Sequence, residues 1–302
     1  MRMSSLRRPI LWFAEHPWFR VAALRSGVWR RFVAGETLDD GLTAARRLRA
    51  QGIAVMLDHL GENVATEADS RAATDAYVAA AEALHADTAL DGAISVKLTQ
   101  LGLDLSYELC LENVRRVLDS AGSTLVMIDM ESHDYVDRTL SVYRELHGAH
   151  DRFGICLQAY LKRTAKDVFE LPEGAVVRLV KGAYLETPDV AFPSRGEVDA
   201  TFRRLFATLV ARDCTVHLAT HDARLVEGAR RFGLPQERLE FQMLYGIRTD
   251  LQRELVAGGL PVRVYVPFGT EWYPYLTRRL AERPANLWFF LSNLVRGLAR
   301  SR

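Results

Sequence analysis

Cysteine is scarce in this chain: three in 302 residues, Cys110, Cys156 and Cys214, far apart in apolar stretches and without CxxC or Cys/His spacing. That argues against a disulfide framework or a thiolate metal site and leaves buried free thiols in a reducing, cytoplasmic compartment. Excess charge is missing too, since 39 basic and 38 acidic residues leave a formal net charge of +1. Nucleic acid is therefore not expected as the main partner. No apolar run approaches the roughly 18 residues of a membrane-crossing helix, and the N-terminus lacks the uninterrupted apolar core and small-residue cleavage site of a signal peptide. No GxGxxG follows an apolar run, which removes the usual dinucleotide fingerprint of an open α/β sheet. GxSxG, a Ser/His/Asp constellation, His-x-His and His-Glu-x-x-His are also absent. His221-Asp222 and Asp129/Glu131 could in principle offer a divalent ion imidazole and carboxylate, but no metal is expected.

What is present describes a globular protein, 49% hydrophobic and 25% charged, long enough to bury a substantial core. From residue 53 short apolar runs alternate with longer amphipathic stretches, eight times over. The strand candidates are 53–58, 93–98, 125–130, 154–160, 176–183, 215–220, 239–244 and 262–269, each the length of a buried strand. Helical patterns fill 67–86, 106–120, 133–148, 164–171, 197–212, 223–232, 249–257 and a last segment from Trp272. In the first, Ala72, Ala76, Ala79, Ala80, Ala83 and Leu84 form a stripe of period close to 3.6. Eight βα units predict an α/β fold, a (βα)8 TIM-type barrel at residues 51–302 preceded by an N-terminal helical arm at 1–50. The arm mixes arginines with Trp12, Phe13, Trp18, Phe19 and Trp29, and the segment 286–296 is apolar and flanked by arginine. Two readings stay open for both: packing on the barrel, or peripheral contact with an anionic membrane surface.

In such a barrel the active site lies at the C-terminal ends of the strands. Polar residues gather there: Asp58 and Glu62, Lys97, Asp129 and Glu131, Gln158, Arg178 and Lys181, Thr220, His221 and Asp222, Glu240 and Gln242, and Tyr265. Because residues two apart on a strand share a face, at most one of Arg178 and Lys181 points into the barrel. Gly182 allows close backbone approach to a flat or anionic ligand, which places Lys181 at the rim, with an ion pair to a neighbouring acid as the plainer reading. With Lys97, Arg178, Lys181, Arg278 and Arg279 converging, the site is expected to lean positive. A buried Schiff-base lysine of aldolase type stays open as an alternative, as does a catalytically silent binding barrel.

After the last strand, Tyr275-Leu-Thr-Arg278-Arg279 sets one ring and two guanidinium groups at helical spacing. Arginine suits a carboxylate because its planar fork donates two parallel hydrogen bonds. Leu276 and Leu280 are expected to face a core.

Taken together, Asp58-His-Leu-Gly-Glu62, Ser95-Val-Lys97, Ile128-Asp129-Met, Leu157-Gln158-Ala-Tyr160, Arg178-Leu-Val-Lys181-Gly-Ala-Tyr184, Ala219-Thr220-His221-Asp222, Tyr265-Val-Pro-Phe-Gly269 and Tyr275-Leu-Thr-Arg278-Arg279 resemble the proline dehydrogenases. The resemblance implies a distorted (βα)8 barrel with FAD bound noncovalently at the strand ends, and oxidation of L-proline to Δ1-pyrroline-5-carboxylate. It implies that Arg178 lies near the reactive flavin edge, that Gln158 bonds the isoalloxazine, and that Lys181, Gly182, Ala183, Thr220 and His221 hold the cofactor. Lys97, Arg278 and Arg279 would pair with the substrate carboxylate, Tyr265 and Tyr275 would wall the pyrrolidine ring, and Asp129 would organise the polar network, with Asp129 and Arg178 as the catalytic pair. Glu62 would form an ion-pair gate with Arg278. The bulk of Tyr275 implies a preference for proline over hydroxyproline, and the segment between Gly269 and Tyr275 is shorter than in some relatives.

The resemblance further implies a membrane quinone as electron acceptor and a peripheral location on the inner face of the cytoplasmic membrane. Some relatives fuse the barrel to an aldehyde dehydrogenase domain or a DNA-binding segment. The chain is expected to carry neither and to release its product to a separate pyrroline-5-carboxylate dehydrogenase.

Overall fold

A computed structural model describes residues 23–25, 27–148, 150 and 152–282; for Val28, Arg278, Leu280, Ala281 and Glu282 it describes the backbone alone. The segments at 1–22 and 286–296, on which the membrane-surface readings mainly rest, lie outside the described residues.

The strands are rich in Val, Ile, Leu and Met with little alternation, the pattern expected when helices cover a parallel sheet. They are β1 (Ala54–His59), β2 (Gly92–Val96), β3 (Leu125–Ile128), β4 (Phe153–Gln158), β5 (Val176–Val180), β6 (Thr215–Ala219), β7 (Leu239–Leu244) and β8 (Val262–Phe268). Each pairs in parallel with the next, and β8 returns to β1 in a register running from Ala54 against Arg263 to His59 against Phe268. The expected closed barrel is therefore observed. Several predicted strands ran too far: 125–130 ends at Ile128, 154–160 at Gln158 and 176–183 at Val180. In each case the overrun is the polar strand exit, where the chain leaves the ladder to build loops.

Around the barrel run α1 (Leu38–Arg49), α2 (Glu67–Ala86), α3 (Tyr107–Ala121), α4 (Val136–Leu146), α5 (Thr164–Asp167), α6 (Arg195–Ala211), α7 (Ala223–Arg230), α8 (Thr249–Ala257) and α9 (Trp272–Glu282). Short polar residues start many of them. Thr37 forms a capping box with Asp40, and Thr66, Ser106, Ser194 and Asp222 each accept a backbone N–H of the first turn, satisfying a donor the helix itself leaves open.

The alanine stripe proposed for α2 needs correction. Its buried face runs through Ser70, Ala73, Thr74, Tyr77, Ala80, Ala81 and Leu84, while Ala72 and Ala79 are exposed. Tyr77 decides the rotation: it is fully buried and its hydroxyl is hydrogen-bonded to the Gln100 side-chain amide at 2.6 Å. Alanine buries too little area to orient a helix against an aromatic side chain.

The second half of the N-terminal arm is part of the barrel's packing. Leu42, Ala44, Ala45 and Leu48 of α1 belong to the main core. A second apolar cluster joins Trp29, Phe32 and Val33 to Leu60, Ile247, Trp272, Tyr275 and Leu276. Trp29 stacks on Trp272 with centroids 4.9 Å apart and planes 14° from parallel, so α9 is fastened to the barrel by an aromatic of the arm. Leu276 faces this core as expected. All three cysteines are buried and free.

Candidate active site

Period-two alternation sends Met56 and Asp58 of β1, Ser95 of β2, Arg178 of β5 and Tyr265 of β8 to the inside of the barrel. Lys97 and Asp129 continue the same parity just beyond β2 and β3. Met56, Ala93, Leu125 and Met127 form a small apolar layer of their own, and a polar cluster stands on it.

Arg178 pairs with Asp129 Oδ1, donates to Ser95 Oγ at 3.0 Å and lies with its Cζ 5.5 Å above the Tyr265 ring. Ser95 Oγ donates to Asp129 Oδ1 at 2.9 Å, and Tyr265 Oη donates to Asp129 Oδ2 at 2.9 Å. Lys97 Nζ sits 2.6 Å from Asp58 Oδ1, 3.1 Å from Asp129 Oδ2 and 3.3 Å from Tyr265 Oη. Asp58 at 1%, Arg178 at 3% and Lys97 at 7% exposure are almost entirely out of solvent, while Asp129 and Tyr265 are partly buried.

Burial opposes each charge, and the partners more than offset it. Desolvation pushes the Asp129 carboxyl up, but Arg178, Lys97 and the Tyr265 hydroxyl bring it down to about 2. Desolvation likewise lowers Lys97, yet Asp58, Tyr265 and Asp129 hold its ammonium well above the usual value. Burial and the neighbouring Asp129 raise Tyr265 far above an ordinary phenol. Two cations and two carboxylates thus balance inside the lumen, and the expected positive lean is corrected to neutrality there. Lys181 does not add to it: lying one residue past β5, it pairs with Asp199 at 2.5 Å and Asp222 at 3.2 Å. The ion pair with neighbouring acids is the arrangement found.

Above this cluster opens a cavity of about 1600 Å³, larger than the roughly 300–1,000 Å³ of ordinary small-molecule sites. Every predicted site residue whose side chain is described lines it: Glu62, Lys97, Asp129, Gln158, Arg178, Lys181, Gly182, Ala183, Thr220, His221, Tyr265, Tyr275 and Arg279. The side chain of Arg278 lies outside the described residues. Tyr275 is 6% exposed and Arg279 places its Cζ 5.2 Å over the Tyr275 ring, a cation–π contact at the cavity mouth.

The wall formed by β4 to β7 is shaped for a flat polar ligand. Gly182 has φ +109°, and a Cβ there would overlap the ring of Tyr160, so only glycine fits. Gln158 donates to Met130 O at 3.0 Å, which leaves its buried Oε1 without a hydrogen-bond partner. Gln242 bonds Glu240 and His217 through Nε2, and its buried Oε1 is likewise unpartnered. Two orphaned amide acceptors, one from β4 and one from β7, line the same cavity and can each accept a hydrogen bond from a polar ligand such as a heteroaromatic ring with an N–H donor. His221 accepts from Leu244 N at 3.0 Å, and Thr220 Oγ1 accepts from Asp222 N at 3.2 Å. Asp222 also caps α7, so the pair that holds Lys181 is fixed to a helix start.

Several participants were visible in the sequence without a role: Ser95, which bridges Arg178 and Asp129; Asp58, the partner of Lys97; and Gln242. Their strand parity was the available signal. Below the site, Arg263 donates to Glu240 at 2.9 and 3.0 Å and to Val55 O at 2.9 Å, with His217 and Asp91 beside it. Burial, outweighing the nearby Glu240, lowers the His217 imidazole to about 4, while Arg263 overcomes burial to bring Glu240 down to about 2. Glu131, at the exit of β3, is pushed up to about 7, chiefly by burial.

Comparison with known proteins places the chain in a family. The family profile described as Proline dehydrogenase matches residues 41–291. Proline dehydrogenase 1 of Bacillus subtilis subsp. natto is 39% identical over 274 residues, covering 88% of this chain and 90% of that protein. Proline dehydrogenase of Deinococcus radiodurans is 39% identical over 307 residues, covering 96% and 98%. Among solved structures, proline utilization A (PutA) from Bdellovibrio bacteriovorus, inactivated by N-propargylglycine, superposes with a TM-score of 0.78 at 24% identity, over 90% of this chain and 37% of that one. The chain spans little more than a third of that protein, and the likeness concerns the fold. With the family profile spanning most of the barrel and relatives matched over nearly their whole length, the chain belongs to the proline dehydrogenase family.

Proposed function

We propose that this protein oxidises L-proline to Δ1-pyrroline-5-carboxylate with bound FAD and passes the electrons to a membrane quinone. The observation that carries the reading is the single cavity in which a neutral ion-pair lumen, two orphaned amide acceptors and the Tyr275–Arg279 cap meet. Gln158, Arg178, Lys181, Gly182, Ala183, Thr220 and His221 would hold the cofactor. When bound, FAD would supply the hydride acceptor for C5 of the pyrrolidine ring.

The remaining work falls to the chain. Lys97, Arg278 and Arg279 would pair with the substrate carboxylate, Lys97 by giving up its 3.3 Å contact with Tyr265 Oη, and Tyr265 and Tyr275 would enclose the ring and exclude water, which fixes the reacting carbon in one pose. Arg178 keeps a positive charge at the cavity wall because Asp129 and Ser95 hold its fork in place. Arg178 and Lys97 hold Asp129 ionised against burial, and burial with Asp129 keeps the Tyr265 phenol protonated. The reactive substrate is the neutral amine, and the nearby cations disfavour its protonated form.

An aldolase reading is weaker. A Schiff-base lysine needs a depressed pKa, whereas Lys97 is held protonated by Asp58 and Lys181 is paired with two carboxylates. Peripheral attachment to the inner membrane face and delivery of the product to a separate pyrroline-5-carboxylate dehydrogenase complete the proposal. Among the described residues no helix is long and apolar enough to cross a membrane.

The deciding experiment is anaerobic addition of proline to the purified protein. A yellow protein whose visible bands bleach supports cofactor and substrate together; a colourless protein, or bands that persist, sinks the reading. Flotation with anionic liposomes tests the membrane contact.

A further inference from the structure

A buried carboxylate outside the proposed chemistry joins the loop after β1 to the segment after β2. Glu131, 3% exposed, accepts from Thr99 N at 3.0 Å and from Thr99 Oγ1 at 2.5 Å. Thr99 Oγ1 in turn accepts from Asn63 N at 3.1 Å. A hydroxyl has one hydrogen. Once it is given to Glu131, the lone pairs are what Thr99 presents to Asn63.

The loop on the far side of this relay needs holding. Asn63 has φ +54°, in the left-handed region that asparagine enters more readily than most residues, so its backbone N–H points where this turn needs a fixed acceptor. Its neighbour Gly61 packs so closely on Gln100 that a Cβ would overlap the amide. Between them stands Glu62, which lines the cavity. The anchoring segment also carries Lys97, two residues before Thr99, into the lumen. Among the described residues Glu131 spends its hydrogen bonds on Thr99 alone. A buried carboxyl without a bonded cation is costly in a core that needs only shape, which points to the relay as the reason for it.

We propose that Glu131 is a positioning residue for substrate binding: through Thr99 it fixes the backbone of residues 61–63, hence Glu62 in the cavity lining, and steadies the segment on which Lys97 stands. The inference rests on the proline-oxidising reading for its kinetic consequence, although the hydrogen-bond relay stands without it.

The test compares Thr99→Val, Thr99→Ser and Glu131→Gln. Hydrogen–deuterium exchange of a peptide covering residues 60–65 reads the Asn63 amide directly. We expect its exchange to quicken roughly tenfold in Thr99→Val and Glu131→Gln, about what losing one buried hydrogen bond implies, and to return to wild type in Thr99→Ser. The KM for proline should rise by a similar factor, roughly tenfold, with kcat changed less than about threefold. Unchanged exchange and unchanged KM in Thr99→Val, or an equal fall in kcat and kcat/KM, overturns the proposal. Glu131→Gln covers the case in which Thr99→Val does not fold. A wild-type protein inactive on proline would overturn the functional reading instead, and the exchange result would still decide the relay.

Discussion

Lys97 Nζ lies 2.6 Å from Asp58 Oδ1, so the lysine of the barrel lumen is already paired with a carboxylate from the adjoining strand. Removing Asp58 leaves Lys97 and Arg178 to share Asp129, an unbalanced buried charge of the kind that costs about 3–5 kcal/mol. Asp58→Asn should lose stability of that order in urea unfolding. Glu67→Gln, which breaks an exposed pair with Arg71 on α2, should change it by less than about 0.5 kcal/mol. Equal effects from the two variants would contradict the ion-pair lumen.

Arg178 bonds Ser95 and Asp129 through one terminal nitrogen while its guanidinium plane rests over Tyr265, a stacked contact that lysine does not reproduce. Arg178→Lys should fold and slow the proline-dependent bleaching by roughly a hundredfold, the usual size of effect when one preorganised donor is removed. Stopped-flow absorbance measures it.

Gly182 combines φ +109° with contact against Tyr160. Gly182→Ala must strain the backbone or displace the ring, at about 1–3 kcal/mol. The expected result is a fall in flavin content of roughly tenfold or more, read as the ratio of visible to protein absorbance. A fully loaded variant would remove Gly182 from the cofactor wall.

Arg279 stacks over Tyr275 at the cavity mouth. Arg279→Met should raise the KM for proline by roughly 10–100-fold, the loss expected for a charged hydrogen bond, while leaving the flavin spectrum unchanged. An unaltered KM would return this arginine to the solvated surface.

His217 is held neutral in the barrel, its pKa lowered from 6.5 to about 4 by burial. A depressed value means the unfolded chain binds the proton first, so the contribution is fully present above pH 6.5 and disappears as pH falls toward 4. Glu131 runs the other way: raised from 4.5 to about 7, it favours the fold at low pH and loses that contribution as pH rises through 7. In thermal melts across pH, His217→Gln should flatten the decline between pH 6.5 and 4 relative to the wild type. Parallel curves for the two proteins would show that His217 does not titrate there.

Most of the architecture was legible because it is written in periodicity. Eight apolar runs with amphipathic stretches between them allow few solutions, and strand parity put Arg178 and Lys181 on opposite faces, so that only one could enter the barrel; the structure shows that it is Arg178. The strand exits were less legible. Hydrophobic pattern does not mark where a ladder hydrogen bond is last made, so Asp129, Lys181 and Gly182 were assigned to strands that end before them. The face of α2 was misjudged for a related reason: the alanines repeat convincingly, but one tyrosine buries more area than several of them.

The amino-acid sequence by itself determined the βα repeat, the residue types at the strand ends and the spacing of Tyr275 and Arg279, because these depend only on order along the chain. Only the tertiary structure decided which charges meet. Asp58 and Lys97 are 39 residues apart, Asp129 and Tyr265 are 136 apart, and no local pattern reveals that barrel closure brings all four together. That closure turns a set of cations expected to make the site positive into a neutral, hydrogen-bonded lumen, since burying unbalanced charge in a low-dielectric interior costs more than pairing it.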